Sequence, residues 1–94
     1  MTTISTMTPM FVLSHAILRT KTTIIAFGDR EREIQPRAII VGKHNRHFVH
    51  ATENGKWRLF PVDKIQNAEC FERPFVAHHY KAPEWATVKT VRVV

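Results

Sequence analysis

The chain is 94 residues long, 44% hydrophobic and 23% charged, a composition that is typical of a globular domain and excludes a disordered chain. Its 14 Lys and Arg against 8 Asp and Glu give a formal net charge of +6 with histidines neutral. Such a surface attracts polyanions, among which nucleic acid is the leading candidate. A chain of this length has room for one modest core, so we predict one domain.

A single cysteine, Cys70, excludes an intramolecular disulfide and a cysteine-based zinc site. The first residues lack the basic and apolar regions of a secretory signal, and no apolar run reaches membrane-spanning length. We therefore expect a cytoplasmic protein without membrane contact and without a cofactor.

The N-terminal part is predicted to be a flexible arm followed by a helix. Residues 1–9 are rich in Thr and Ser and end at Pro9, which is tolerated in the first turn of a helix. Apolar residues over 10–19 then recur mostly at helical spacing. This pattern predicts a short helix that covers one end of the following β-structure.

The rest of the chain alternates β-prone segments with turn residues. The segments are residues 22–27, 31–41, 46–52, 57–62 and 68–75. They predict a mainly β fold, a small SH3-like five-stranded barrel over residues 10–76. Pro36 interrupts the second segment and indicates an edge position or a bulge. Residues 77–94 are predicted to be a C-terminal extension, in which the β-prone part 87–94 pairs with the barrel edge or with another chain.

The strongest turn signal is Asn54-Gly55, which predicts a two-residue hairpin. The pairs that follow are Glu53 with Lys56, Thr52 with Trp57 and Ala51 with Arg58. One face then carries Phe48, His50, Trp57 and Leu59, and the other carries Val49, Ala51, Arg58, Phe60 and Val62. Neither face is purely polar, so both are partly covered or one of them meets a ligand or partner.

Three stretches, in this order and spacing, resemble the WYL domain of bacteria. They are R-E-I-Q-P over 32–36, H-F-V-H-A over 47–51 and R-L-F-P-V-D-K-I over 58–65. The family's Trp-Tyr-Leu positions hold His47, Phe48 and Val49 here, and Lys64 stands where Arg is usual. The resemblance implies an SH3-like, Sm-like barrel that senses nucleic acid or nucleotides. WYL domains usually follow a winged-helix DNA-binding domain, and we expect this chain to be a stand-alone copy.

The resemblance also implies a ligand surface. It would be lined by Arg32, Phe48, His50, Arg58 and Lys64, with Phe48 stacking on a base and the cations meeting phosphates. The alternative is structural: Phe48 packs in the core, Arg58 lies at the barrel rim, and Lys64 pairs with Asp63 or Glu69.

The segment 43–50 concentrates cations and histidines, including Arg46 and His47, which we add to the candidate binding residues. A metal site is disfavoured because side chains alternate along a strand, so His47 points away from His44 and His50. We therefore interpret the segment as a polyanion patch and predict no metal.

No nucleophile elbow, phosphate loop or paired-acid motif occurs, so we do not expect an enzyme. The sequence favours a ligand-binding regulatory module that takes single-stranded nucleic acid or a nucleotide on a basic face and modulates a partner. The alternative is a protein–protein interaction module, an accessory or anti-defence factor that binds a regulator, a nuclease or a defence-system component. Its interface would be formed by Trp57, Tyr80, Trp85 and residues 87–94. A homodimer is compatible with both.

Overall fold

The computed structural model describes residues 8–92, in which one α-helix precedes a six-stranded antiparallel sheet. The elements are α1 (Pro9–Arg19), β1 (Lys21–Phe27), β2 (Arg30–Val41), β3 (His47–Glu53), β4 (Lys56–Pro61), β5 (Ile65–Pro74) and β6 (Thr87–Val91). The predicted mainly β fold with an N-terminal helix is confirmed. The predicted arm over residues 1–9 lies outside the described residues except for Thr8 and Pro9, as do residues 93 and 94.

Helix α1 begins and ends with local signals that its sequence provides. The Oγ1 atom of Thr8 accepts a hydrogen bond from the N–H of Phe11 at 3.3 Å, and Pro9 occupies the first turn. Thr20 ends the helix in a left-handed conformation with φ of 52°. The buried face of the helix packs against the sheet through Val12, Leu13, Ala16 and Ile17.

Strand β2 organises the sheet, whose order is β4-β3-β2-β1-β5, with β6 also paired to β2. Its first half pairs with β1, and its second half lies between β3 and β6. Pro36 lacks a backbone N–H, and the β2–β3 register shifts between Pro36 and Ala38, so Arg37 is the extra residue of a bulge. Within residues 8–92, β4 pairs only with β3 and β5 only with β1, so hydrogen bonds do not close the sheet.

The hairpin between β3 and β4 has the register that Asn54-Gly55 predicts. Both turn residues have positive φ, 53° and 79°, as a type I′ turn requires. The observed partners are Glu53 with Lys56, Thr52 with Trp57 and Ala51 with Arg58. The predicted division of β3 and β4 side chains between two faces follows from this register.

The two faces of the β2–β3–β4 sheet are covered differently. The inner face belongs to the main core through Ile39, Val49, Ala51 and Phe60, which pack with α1, β1 and β5. On the outer face, Ala38 and Ile40 are fully buried opposite His50 and Phe48. Residues 75–86 cross this outer face before β6, so the second face is partly covered by the chain's own C-terminal part.

Strand β6 accounts for most of the β-prone C-terminal segment. It pairs antiparallel with β2 of the same chain, from Thr87 opposite Val41 to Val91 opposite Ala38. Of the two predicted pairings, the structure therefore contains the one within the same chain.

Candidate functional site

The predicted binding residues are distributed along β3 and its neighbours. Strand β3 spans His47–Glu53, a length of about 20 Å at roughly 3.3 Å per residue. Arg32 and Arg58 lie near its hairpin end, His50 in its middle, and Arg46, His47 and Phe48 at its start. Lys64 follows β4, whose Pro61 is opposite Phe48, so it lies toward the start of β3. The structure therefore does not bring all of these residues into one cluster.

At the hairpin end, both predicted arginines are engaged by a carboxylate. Arg32 binds Glu53 bidentately, with Nε and Nη2 at 3.0 and 2.8 Å from the two carboxylate oxygens. The side chains of Arg32 and Glu53 are only 18% and 12% exposed. Arg58, half exposed, adds a contact to Glu53 at 3.4 Å. The hydrogen bond from Arg32 lowers the pKa of Glu53 despite its burial, so this carboxylate stays charged at neutral pH.

In the middle of β3, His50 packs against aromatic side chains of its own chain. Its Nδ1 lies 2.6 Å from the hydroxyl of Tyr80, and its ring centroid is 4.7 Å from that of Trp57. Burial lowers the pKa of His50 and raises the pKa of Tyr80 to about 12. Both groups are therefore neutral at pH 7, and His50 contributes packing and a hydrogen bond rather than charge.

The start of β3 gathers cations that carry no such carboxylate. We call this region the basic end, defined by Lys43, His44, Arg46, His47, Lys64 and Lys89. Its lysines and Arg46 are exposed and form no salt bridge within residues 8–92. A groove of about 480 Å³ opens here between the β2–β3 turn and the end of β4, and Asp63 is the acidic residue in its wall.

Aromatic side chains border the basic end. Arg46 lies over the ring of Phe48, with its Cζ 5.3 Å from the ring centroid. Phe48 in turn packs edge-to-face against Trp85, with centroids 5.6 Å apart. Trp85 remains 53% exposed, so one large aromatic surface adjoins the cations. Phe48 itself is half-buried. It is therefore neither a fully buried core side chain nor a ring fully open for stacking, the two alternatives that the sequence left.

The contacts of His47 define its neutral tautomer. Its Nδ1 is 3.0 Å from the carbonyl oxygen of Asn45, which can only accept, so Nδ1 carries the proton. Its Nε2 is 3.4 Å from the ammonium of Lys89, which can only donate. His47 thus accepts a hydrogen bond from Lys89 at the basic end.

Some residues of this region were not among the predicted ligand-binding residues, although Tyr80 and Trp85 were named for the alternative protein interface. Glu53 is the counter-ion of Arg32, and Trp85 and Tyr80 cover Phe48 and His50. These partners are separated by 21 to 37 positions in the chain, and no local pattern connects them. Arg37, the extra residue of the β2 bulge, donates to the carbonyl oxygen of Val76 and was also not predicted. The bulge signal at Pro36 was the sequence feature that pointed to it, because a bulge redirects the side chain of its extra residue.

No group of three or more potential metal-ligating side chains occurs in the described part of the chain. Likewise, no helix within residues 8–92 is both long and apolar enough to cross a membrane. The chain matches no protein-family model, and no curated protein is significantly similar to it in sequence.

Proposed function

We propose that the protein is a non-enzymatic binding module for single-stranded nucleic acid or a nucleotide, and that the basic end is its anion-binding surface. One observation carries the proposal: Lys43, Arg46, Lys64 and Lys89 have no salt-bridge partner within residues 8–92, and Arg46 lies over Phe48, whose ring packs against the exposed ring of Trp85. Neutralisation of phosphates together with base stacking is the recognition used by proteins that bind single strands with little sequence preference.

Only some of the predicted binding residues belong to the proposed surface. Arg46, His47, Phe48 and Lys64 stay in the proposed surface. Arg32 is assigned to the support of the hairpin, because a guanidinium that already binds a carboxylate bidentately must break that pair to meet a phosphate. Arg58 is assigned there as well, because its one salt bridge is with the same carboxylate. His50 is assigned to packing beneath residues 75–86.

We also propose that the sheet curls as an SH3-like barrel of the WYL type. The pairing of β2 with β1 on its first half and with β3 and β6 on its second half is compatible with such a curl, as is the bulge at Arg37. In this arrangement the three stretches that resemble the WYL domain lie on β2, on β3 and on β4 with the turn after it.

A protein–protein interaction module is the second candidate function, and one observation favours it. Trp57 and Leu59 on β4 are 55% and 39% exposed, and β4 is the last strand of the sheet. A partner strand could pair with this edge and bury both side chains. Strand β6, which was part of the predicted interface, is instead paired with β2.

Fluorescence anisotropy with labelled ten-nucleotide oligo(dT) and oligo(U) tests the main proposal. For about four phosphate contacts, affinity should fall roughly 50-fold between 50 and 200 mM salt. The double variant Arg46→Gln, Lys64→Gln should bind about tenfold more weakly, with the salt slope reduced by about 0.7 for each lost contact.

The matched control removes the same charge at the hairpin end, in the double variant Lys56→Gln, Arg58→Gln. It should bind oligonucleotide almost as well as the wild type. Equal losses in the two double variants would mean that only net charge matters and would overturn the assignment to the basic end. Absence of binding to both oligonucleotides at 50 mM salt would favour the protein-partner function.

A further inference from the structure

A second cavity, of about 190 Å³, lies between the end of α1, the outer face of β2–β4 and residues 75–80. Ile17 and Pro36, both buried, contribute to its apolar wall. Trp57, Phe75 and Tyr80 supply aromatic rings, and Trp57 keeps 55% of its surface exposed. We call this cavity the aromatic cleft. It shares no lining residue with the groove at the basic end.

Two arginines line the aromatic cleft, and the one on the sheet is Arg37, the extra residue of the β2 bulge. Its guanidinium stacks on Phe75, with Cζ 4.6 Å from the ring centroid, and is half-buried. It forms no salt bridge within residues 8–92. Burial lowers the pKa of Arg37, but an arginine stays protonated at physiological pH. A partly desolvated cation without a counter-ion is unfavourable, and an anion would relieve it.

The hydrogen bonds of Arg37 leave one side of its guanidinium weakly occupied. Nη1 donates to the carbonyl oxygen of Val76 at 2.7 Å, a short bond that anchors the start of the covering segment. Nε and Nη2 share the hydroxyl of Thr52 at 3.4 and 3.3 Å, longer than most N–H···O bonds. The Nε–Nη2 edge is one that a carboxylate can bind bidentately. Thr52 is directly opposite Trp57, so this edge and the exposed ring are neighbours.

From this geometry we infer that the aromatic cleft binds a small aromatic carboxylate, a single planar ring that bears one carboxylate group. The ring packs against Trp57 and its aromatic neighbours, and the carboxylate binds Arg37. Arg92, which also lines the cleft and donates to the carbonyl oxygen of Leu18 at 2.6 Å, adds positive charge.

The volume determines the size of the ligand. An engineered protein cavity of about 150 Å³ holds benzene, and pockets for drug-sized ligands begin near 300 Å³. A cavity of about 190 Å³ therefore suits one ring with a small substituent and cannot enclose a whole nucleotide. The aromatic cleft is thus a different site from the basic end, and its ligand does not depend on nucleic-acid binding.

Isothermal titration calorimetry with three probes of similar size tests the inference. Benzoate provides the ring and the charge, benzamide the ring without the charge, and cyclohexanecarboxylate the charge without a planar ring. Benzoate should bind at least tenfold more tightly than either of the others. No heat with millimolar benzoate, or equal affinity for benzoate and benzamide, would overturn the inference.

Two variants locate the binding. Trp57→Ala removes an exposed ring without opening the core. Arg37→Lys keeps the charge but removes the planar guanidinium. Each change should weaken the binding of benzoate at least fivefold. Circular dichroism and melting confirm that both are folded. If Arg37→Lys does not fold, the test uses the backbone amide NMR signals of the wild-type protein. The signals that move on addition of benzoate should belong to residues of the aromatic cleft, and movement of signals elsewhere would count against the site.

Arg46→Gln is the matched control at the basic end and should leave benzoate affinity unchanged. Conversely, Arg37→Lys should leave oligonucleotide affinity unchanged. Loss of benzoate binding in Arg46→Gln equal to that in Arg37→Lys would show a nonspecific charge effect and overturn the inference.

Discussion

The two ends of β3 contain the same kinds of residue in different electrostatic situations. At the hairpin end, Arg32 and Arg58 share the carboxylate of Glu53. At the basic end, Arg46 and Lys89 contact an aromatic ring and an imidazole and have no salt bridge within residues 8–92. Positive charge in a sequence is therefore not the same as positive charge that a ligand can reach, because nearby carboxylates decide which cations remain available.

Among the substitutions that test this comparison, Glu53→Gln should have the largest effect. This change leaves the mostly buried Arg32 without its counter-ion, so we expect a loss of about 2–3 kcal/mol in the free energy of unfolding at neutral pH. Urea denaturation measures it. The matched control is Glu33→Gln, which removes the exposed pair with Arg73 and should cost less than about 0.5 kcal/mol. Equal losses in both variants would contradict the idea that burial makes the Glu53 pair important.

A glycine at each end of β3 sharpens the comparison. A Cβ atom at Gly42 would lie 2.9 Å from the Trp85 ring, whereas one at Gly55 would meet nothing within 4 Å. Gly42→Ala should therefore displace Trp85, cost about 1 kcal/mol and weaken oligonucleotide binding severalfold. Gly55→Ala should cost about 1 kcal/mol through its φ of 79° and leave oligonucleotide binding unchanged.

Fluorescence of Trp85, measured in a Trp57→Phe background, distinguishes these two glycine variants. Gly42→Ala should change its emission and Gly55→Ala should not. If neither variant alters the emission, the contact between Gly42 and Trp85 does not position the ring as described.

The smallest expected effect concerns His50, between the two ends. Its pKa is lowered in the folded state by burial, so the folded protein binds a proton there less readily than the unfolded chain. The contribution of His50 to the free energy of unfolding is fully present above its unfolded-state pKa near 6.5. It is lost as the pH falls toward the lowered pKa of the folded state. The melting temperature should therefore decrease between pH 7.5 and 5.5, and His50→Asn should reduce that decrease. His15→Asn, on the exposed side of α1, is the control and should keep the full dependence.

Most of the fold could be predicted because its signals are local. The Pro9 helix start, the Asn54-Gly55 hairpin and the Pro36 bulge each depend on backbone preferences within a few residues. The candidate site was predicted only in part. Arg46, His47 and Lys64 were named from local charge and from the WYL resemblance, but nothing local separates them from Arg32 and Arg58.

The sequence by itself determined the composition of the domain, its element types and the register of its β3–β4 hairpin, since these follow from residue spacing and turn chemistry. Only the tertiary structure decided which cations are neutralised and what covers the second face of the sheet. Glu53 meets Arg32, Tyr80 meets His50 and Trp85 meets Phe48 across long stretches of chain. Such contacts depend on how the sheet bends and where residues 75–86 cross it, and both are set by the packing of the whole chain rather than by neighbouring residues.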